Sequence, residues 1–375
     1  MAVDFTKAIS EDQTYISRLL SYAKKYLQRH KPQNRNYICF SNGSGRFRFE
    51  FRKVIYEGKL EGFRNVEVCF SPHYIFNNDL HNGNDFTPSN AIKTIKETFL
   101  KIGILESEMQ DFKVTSLEYG LNLNTGLQIE NLINGILYTK KTPFIISNPN
   151  HPYFKISKST NYKEVKAYAK GLQFEIFPTY NIEKNIFRFE VRSKQSKKIR
   201  NLGINTIADL LDPKVYDVLF QSLLNEWENV LVMNPELKDE VNSPEYWSTV
   251  LADKYRHQFR IKREKYYQDL DPKYNIHHLI KCKIIDKIIE LQICTNSTHG
   301  TPINKGKCVF GNIPPLLINV ESVQSSFNDE VEVRKCKVTN LDISMQKKGS
   351  KYLRDNRLSI QKNSESKLRG GGYLE

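Results

Sequence analysis

No stretch of the chain approaches the ~20 consecutive apolar residues that a membrane-spanning helix needs. Met1-Ala2-Val3-Asp4-Phe5 also lacks the basic-then-apolar order of a secretory signal, so a soluble cytoplasmic protein with no membrane partner is expected. Cys-x-x-Cys is absent: Cys39, Cys69, Cys282, Cys294, Cys308 and Cys336 lie far apart and are expected to be reduced and structural. A zinc shared by Cys294, His299, Cys308 and Cys336 is the weaker alternative, because these spacings do not match a zinc ribbon. There is no Walker loop, no Gly-x-Gly-x-x-Gly, no Gly-x-Ser-x-Gly elbow and no His-x-His. ATPase, dehydrogenase and serine-hydrolase readings therefore lose their support. The pair His277-His278 does not restore a metal motif, since neighbours point to opposite faces of a strand, or ~100° apart on a helix. Acid is scarce as well, with 42 Asp and Glu against 56 Lys and Arg, a net charge of +14.

What is present is enough for a folded core. The chain has 375 residues, 39% hydrophobic and 11% aromatic, too rich for a disordered protein and long enough for two or three domains. The charge favours a polyanionic partner, and its distribution favours nucleic acid. Residues 155–200 carry twelve Lys and Arg against four acids, and residues 337–375 carry nine against four. Tyr and Phe are interleaved with them and stack on bases where they are exposed.

Apolar spacing predicts an amphipathic helix over residues 10–30 (Ile16, Leu19, Leu20, Ala23, Leu27). Strands follow at Tyr37–Phe40, at Phe47/Phe49/Phe51 and at Val66/Val68/Phe70, alternating as in an antiparallel sheet with one buried face. The polar run Asn77–Asn84 reads as an exposed loop, and Thr87-Pro88-Ser89-Asn90 as the start of a helix ending near Gly103. A strand at 112–123, a helix at 127–137, strands at 153–158, 162–176 and 186–192, and helices at 206–211 and 215–231 repeat the order. The expectation is an α+β fold: a largely antiparallel curved sheet with flanking helices, in two similar halves. The divisions are an N-terminal helix (1–34), a two-half domain (35–235), a helical basic region (236–346) and a disordered basic tail (347–375).

Two strands hold candidate chemistry. Lys166, Tyr168 and Lys170 share one face if 162–170 is extended, and flanking ammonium groups would favour a phenolate nucleophile. An exposed tyrosine with solubilising lysines is the commoner meaning of that spacing. In Phe187-Arg-Phe-Glu-Val-Arg192, the apolar residues face the core and Arg188, Glu190 and Arg192 face away. That pattern is either an ion-pair ladder or a phosphate-binding strand with a carboxylate for a metal. Glu118 stands on the polar side of the similar run Val114–Asn122.

Four stretches together resemble the replication initiators of phages and plasmids, of the filamentous-phage gene II and rolling-circle plasmid type. They are Val66-Glu-Val-Cys-Phe-Ser-Pro-His-Tyr74 with the helix ending at Ile102-Gly-Ile, Val114-Thr-Ser-Leu-Glu-Tyr-Gly-Leu-Asn122, Val165-Lys-Ala-Tyr-Ala-Lys-Gly171, and Phe187–Arg192 through Leu202–Leu211. Arg334–Ser344 is similar to the tails of such proteins from Bacteroidetes-type bacteria and their mobile elements. The resemblance implies an enzyme that nicks one strand of an origin, with Tyr168 as nucleophile and Lys170 as its partner. Glu118 and Glu190 would hold Mg²⁺ or Mn²⁺, and Lys166, Arg188, Arg192, Lys194, Lys197 and Lys198 would contact DNA. It further implies a phosphotyrosyl link, a 3′-OH for a host polymerase, a host helicase as partner, and a bacterial host cell. Ala169 and Glu118 stand where the family commonly has Asp, and Cys336 alone remains of the C-terminal cysteines some relatives carry. A non-catalytic origin-binding or regulatory DNA-binding protein is the second reading, and an RNA-binding protein the third.

Overall fold

The computed structural model describes residues 2–31, 34–252 and 256–296. The expected zinc ligands His299, Cys308 and Cys336, the side chain of Cys294, and the basic tail lie outside these residues.

The first half runs β1 (Ala2–Ser10), α1 (Gln13–Tyr26), β2 (Gln28–His30), β3 (Tyr37–Ser41), β4 (Phe47–Tyr56), β5 (Lys59–Phe70), the short α2 (Pro72–Phe76) and α3 (Pro88–Lys101). The second runs β6 (Lys113–Asn124), α4 (Ile129–Gly135), the short β7 (Ile136–Thr139), β8 (Thr142–Pro143) and β9 (Ile145–Ile146), then β10 (Phe154–Thr160), β11 (Lys163–Ala169), β12 (Ile186–Ser193), α5 (Ser196–Arg200) and α6 (Pro213–Trp227). After them come β13 (Val230–Val232), α7 (Pro244–Ala252), α8 (Arg256–Asp269) and α9 (Ile276–Asn296).

Ten strands form one sheet in the order β2-β3-β4-β5-β1-β6-β12-β11-β10-β9, and every neighbouring pair is antiparallel. The order β3-β4-β5-β1 is mirrored by β10-β11-β12-β6, so the halves meet at a β1–β6 seam. Each half is a strand, a helix, a three-stranded meander and a helix. The α+β expectation and the two similar halves are therefore present. The N-terminal division is corrected: residues 1–34 are not a helix alone, because Ala2–Ser10 is the middle strand of the sheet.

Period-two alternation sorts the side chains. Phe49, Phe70, Leu117, Leu121, Phe187 and Phe189 are buried on the helix side. There Tyr22 of α1 meets Phe49 edge-on at 6.2 Å, Phe99 of α3 meets Phe70 at 5.6 Å, and Trp227 of α6 meets Phe189 at 5.1 Å. Asp12 and Thr87 cap α1 and α3 by accepting backbone N–H groups of the first turn. Of the basic region expected from 236, the described part carries α7, α8 and α9 joined by turns, and Ile276, Ile280 and Ile284 of α9 join the same core. His277 is structural: its ring stacks between Trp227 and Tyr267 at centroid distances of 5.6 and 4.4 Å. Among the described residues no helix is long and apolar enough to cross a membrane.

Candidate active site on the polar face of the sheet

The opposite face is where the expected residues meet. β11, β12 and β6 are adjacent, with Lys166 opposite Glu190, Tyr168 opposite Arg188, and Arg192 opposite Glu118. The Tyr168 hydroxyl donates to Glu190 Oε1 at 2.6 Å. Lys166 Nζ lies 2.7 Å from Glu118 Oε2 and 3.3 Å from Glu190 Oε2, joining the two carboxylates. Arg188 donates to Glu190, to Asp4 and to the Asn122 side chain. Gly120 lies opposite Glu190, and a Cβ there would come within 2.5 Å of the Phe189 carbonyl oxygen and 2.7 Å of Glu190 Cγ. Only a glycine lets the Glu190 side chain lie across β6.

This end of the face is covered. The Asn-rich loop expected to be exposed folds over it, with Asn82 and Gly83 buried. Arg188 and Asn122 both donate to the Asn82 carbonyl, Asn122 also donates to the Asn84 carbonyl at 2.9 Å, and Asn82 donates to Asp4. His73 of α2 lies 2.9 Å from the Asn84 side chain and stacks on Phe86. Tyr168 is 4% exposed and Arg188 0%.

Burial sets the proton affinities. It pushes the Tyr168 phenol well above its usual 10, and the Glu190 charge adds to this, outweighing Arg188. The positive flanks expected to favour the phenolate are thus overridden. Burial works against the Glu190 carboxylate too, but Lys166, Arg188 and Lys170 hold its pKa well below the ordinary range. Glu118 goes the other way, pushed up to about 7 by burial and by the neighbouring Glu190 charge, against the pull of Lys166. Lys170 is lowered to about 7 by burial and the Arg188 charge.

Several expected roles change with this geometry. β11 ends at Ala169, so Lys170 does not continue the strand face. It begins a 3-10 turn, its Nζ 5.3 Å from the Tyr168 ring centroid and hydrogen-bonded to Gln173. Arg188 and Lys166 are not free to hold DNA, because burial obliges them to pair with the acids around them. Lys194 pairs with Glu164, and Arg192 lies 3.6 Å from Glu118. Lys197 and Lys198 of α5 are exposed. The pair Glu118/Glu190 does not fit a divalent ion as arranged: Lys166 stands between them, and Asp4, Glu118 and Glu190 are matched by Lys166, Arg188 and Arg192. A hard cation would have to displace the ammonium.

Sequence reasoning missed Asp4, Asn82 and a second network in the first half. There Lys7 Nζ bridges Glu50, at 3.1 Å, and Glu67, while Arg48 donates to Glu50 at 2.7 Å. Glu50, Glu67 and Cys69 hold their donor atoms within 4.8 Å of one another, yet Lys7 occupies the carboxylates as Lys166 does. The signal was available, since Phe47-Arg-Phe-Glu-Phe-Arg52 and Phe187-Arg-Phe-Glu-Val-Arg192 differ at one position. Between the networks, on the seam, Phe5 lies under two guanidiniums, Arg192 at 5.0 Å and Arg48 at 5.8 Å from its ring centroid.

No family profile and no curated protein matches the sequence. Among solved structures, the chain is similar to the rolling circle replication initiator protein from Geobacillus stearothermophilus, with a TM-score of 0.37 and 10% identity over 70% of this chain and 94% of that chain.

Proposed function

We propose that this protein is a DNA-binding replication initiator of the rolling-circle kind, and that Tyr168 is its strand-nicking nucleophile. The observation that carries the reading is the joining of Tyr168, Glu190, Lys166 and Glu118 into one network on three adjacent strands. These are the residues the four resembling segments single out. In the nicking step the Tyr168 oxygen bonds to phosphorus as the bond from phosphorus to the 3′ oxygen breaks. The phenol proton leaves through the Glu190 hydrogen bond, and the released oxygen takes up a proton to become the 3′-OH. Once DNA draws Lys166 away from the two carboxylates, its ammonium offsets the negative charge that builds on the phosphate.

The covered arrangement is a resting one, with the phenol protonated and out of reach of a phosphodiester. Nicking requires the loop held by Arg188 and Asn122 to lift. Mg²⁺ or Mn²⁺ enters this reading only where DNA draws Lys166 away from the two carboxylates. Polymerase and helicase of a bacterial host would follow the nick.

The test uses supercoiled DNA carrying the gene and its flanks, incubated with Mn²⁺ and stopped with SDS. Wild-type protein yields open circles with protein attached, and Tyr168→Phe yields none while it binds DNA as before. An adduct at wild-type level from the Phe variant overturns the assignment. A second reading, a DNA-binding protein without nicking activity, draws on the hydrogen bond and burial that keep Tyr168 protonated. Binding without adduct from the wild-type protein is its signature.

A further inference from the structure

β4 and β5 outrun the rest of the sheet. β3 pairs with β4 only from Arg48 to Arg52, and β1 pairs with β5 only from Val66 to Phe70. Beyond these residues, the Lys53 N–H still reaches the Asn36 carbonyl, and then Val54–Tyr56 and Lys59–Gly62 run on as a two-stranded ribbon paired with each other. Its tip turns through Glu57 and Gly58, both at positive φ. Register shifts after Arg52 and after Val54 add twist to it.

A ribbon of this kind is marginal by itself in water, and this one is not built for water. Val54, Ile55, Tyr56 and Leu60 are 40–62% exposed and clustered within seven positions. Lys59 within the ribbon, and Arg52 and Arg64 at its base, are exposed cations, against Glu57 and Glu61 near the tip. Exposed apolar groups in a cluster mark a surface that is covered in use.

We propose that the β4–β5 ribbon is an arm that enters a groove of duplex DNA, with its apolar tip as a wedge against the base pairs. The proposal rests on the DNA-binding reading above and names where the duplex is gripped. A two-stranded ribbon has the width of the major groove. Basic side chains along both strands lie where the flanking phosphates would run, and apolar wedges unstack base steps at a cost that a weakened duplex lowers. An initiator needs such a step, since a strand must be peeled from its partner before its backbone reaches a nucleophile. A protein partner is the competing occupant; the chain-wide charge of +14 and the exposed Arg52 and Arg64 at the base of the ribbon favour the polyanion.

The experiment uses the full chain, a labelled 30-base-pair duplex, and the same duplex with 2-aminopurine at successive steps. The tip variant Ile55→Ser/Tyr56→Ser/Leu60→Ser changes only exposed side chains, so its thermal melt should match the wild type. It is expected to bind the duplex roughly tenfold more weakly and to lose 2-aminopurine brightening, with an unchanged salt slope. Lys59→Gln/Arg64→Gln should instead make the log K against log[salt] slope shallower by roughly 0.9 per charge. Equal duplex binding by wild type and tip variant overturns the arm while leaving the DNA reading intact. So does a change of sedimenting species in the tip variant, which assigns the ribbon to contact between copies. No duplex binding by the wild type overturns the DNA reading and the arm together, which separates the two failures.

Discussion

Replacing Lys170 by methionine should make the protein more stable, by an amount that depends on pH in one direction only. The side chain is buried at the turn after β11, bonded through Nζ to Gln173 at 3.1 Å and packed near the Tyr168 and Phe174 rings, with no ion pair to a carboxylate among the described residues. Burial and the Arg188 charge bring its pKa from 10.5 in a free lysine down to about 7. From pH 7 to 10.5 the unfolded chain therefore holds a proton that the folded protein does not, and folding pays to release it. At pH 7 this removes about 4 kcal/mol of stability, and at pH 10 about 1 kcal/mol. Stability contributed by this group rises with pH across that window and is flat below pH 7. Methionine has nearly the same shape and no proton to lose. Urea unfolding of wild type and Lys170→Met at pH 7 and pH 10 measures the difference, which should shrink by about 3 kcal/mol on going to pH 10. Tyrosine ionisation is common to both proteins and cancels. A difference that stays constant across the window would refute the placement of Lys170 in a dry pocket where the Glu190 and Asp4 charges do not make up for burial.

The other predictions concern its neighbours. Glu118, pushed up to about 7 in the fold, keeps a proton that the unfolded chain gives up above pH 4.5. Its contribution to stability falls by about 3 kcal/mol from pH 4.5 to 7, and Glu118→Gln should remove that slope in chemical unfolding. Gly120→Ala should cost about 1–3 kcal/mol by forcing a Cβ against the Phe189 carbonyl and Glu190, and tyrosine fluorescence should report the loosened Tyr168 contact. Lys197→Gln/Lys198→Gln, on exposed α5, should make the salt slope for duplex binding shallower by roughly 0.9 per charge. Arg188→Met, by contrast, should cost several kcal/mol of stability because it strands the buried Asp4 and Glu190 charges.

Much of the fold was legible because alternation and helical spacing are local. Phe187, Phe189 and Val191 alternate with Arg188, Glu190 and Arg192, and the structure sorts them so. β1 was not legible: Ala2–Ser10 places Lys7 and Asp4 among its apolar residues, and the register shifts between Val3 and Phe5, breaking the alternation. The site was legible as a set of residues but not as an environment. Whether an arginine on the polar side of a strand meets water or a carboxylate depends on what folds over it. For Arg188 the cover is a loop roughly a hundred positions away, whose asparagines spell only polarity in sequence. Lys170 was misplaced for a similar reason, since nothing in Tyr162–Lys170 marks where the extended backbone stops.

The seam has a consequence for the order of synthesis. β1 gains its β5 partner once residue 70 has left the ribosome, but its other edge waits for β6, with Phe5 and Glu118 roughly 110 positions apart. During that interval the growing chain presents an open strand edge, the element most prone to pair with a stranger. Lys7, set toward the polar face, is a charge of the kind that discourages such pairing. β6 closes that edge with one side and takes β12 on the other, so the halves, though alike in plan, differ in when each is completed.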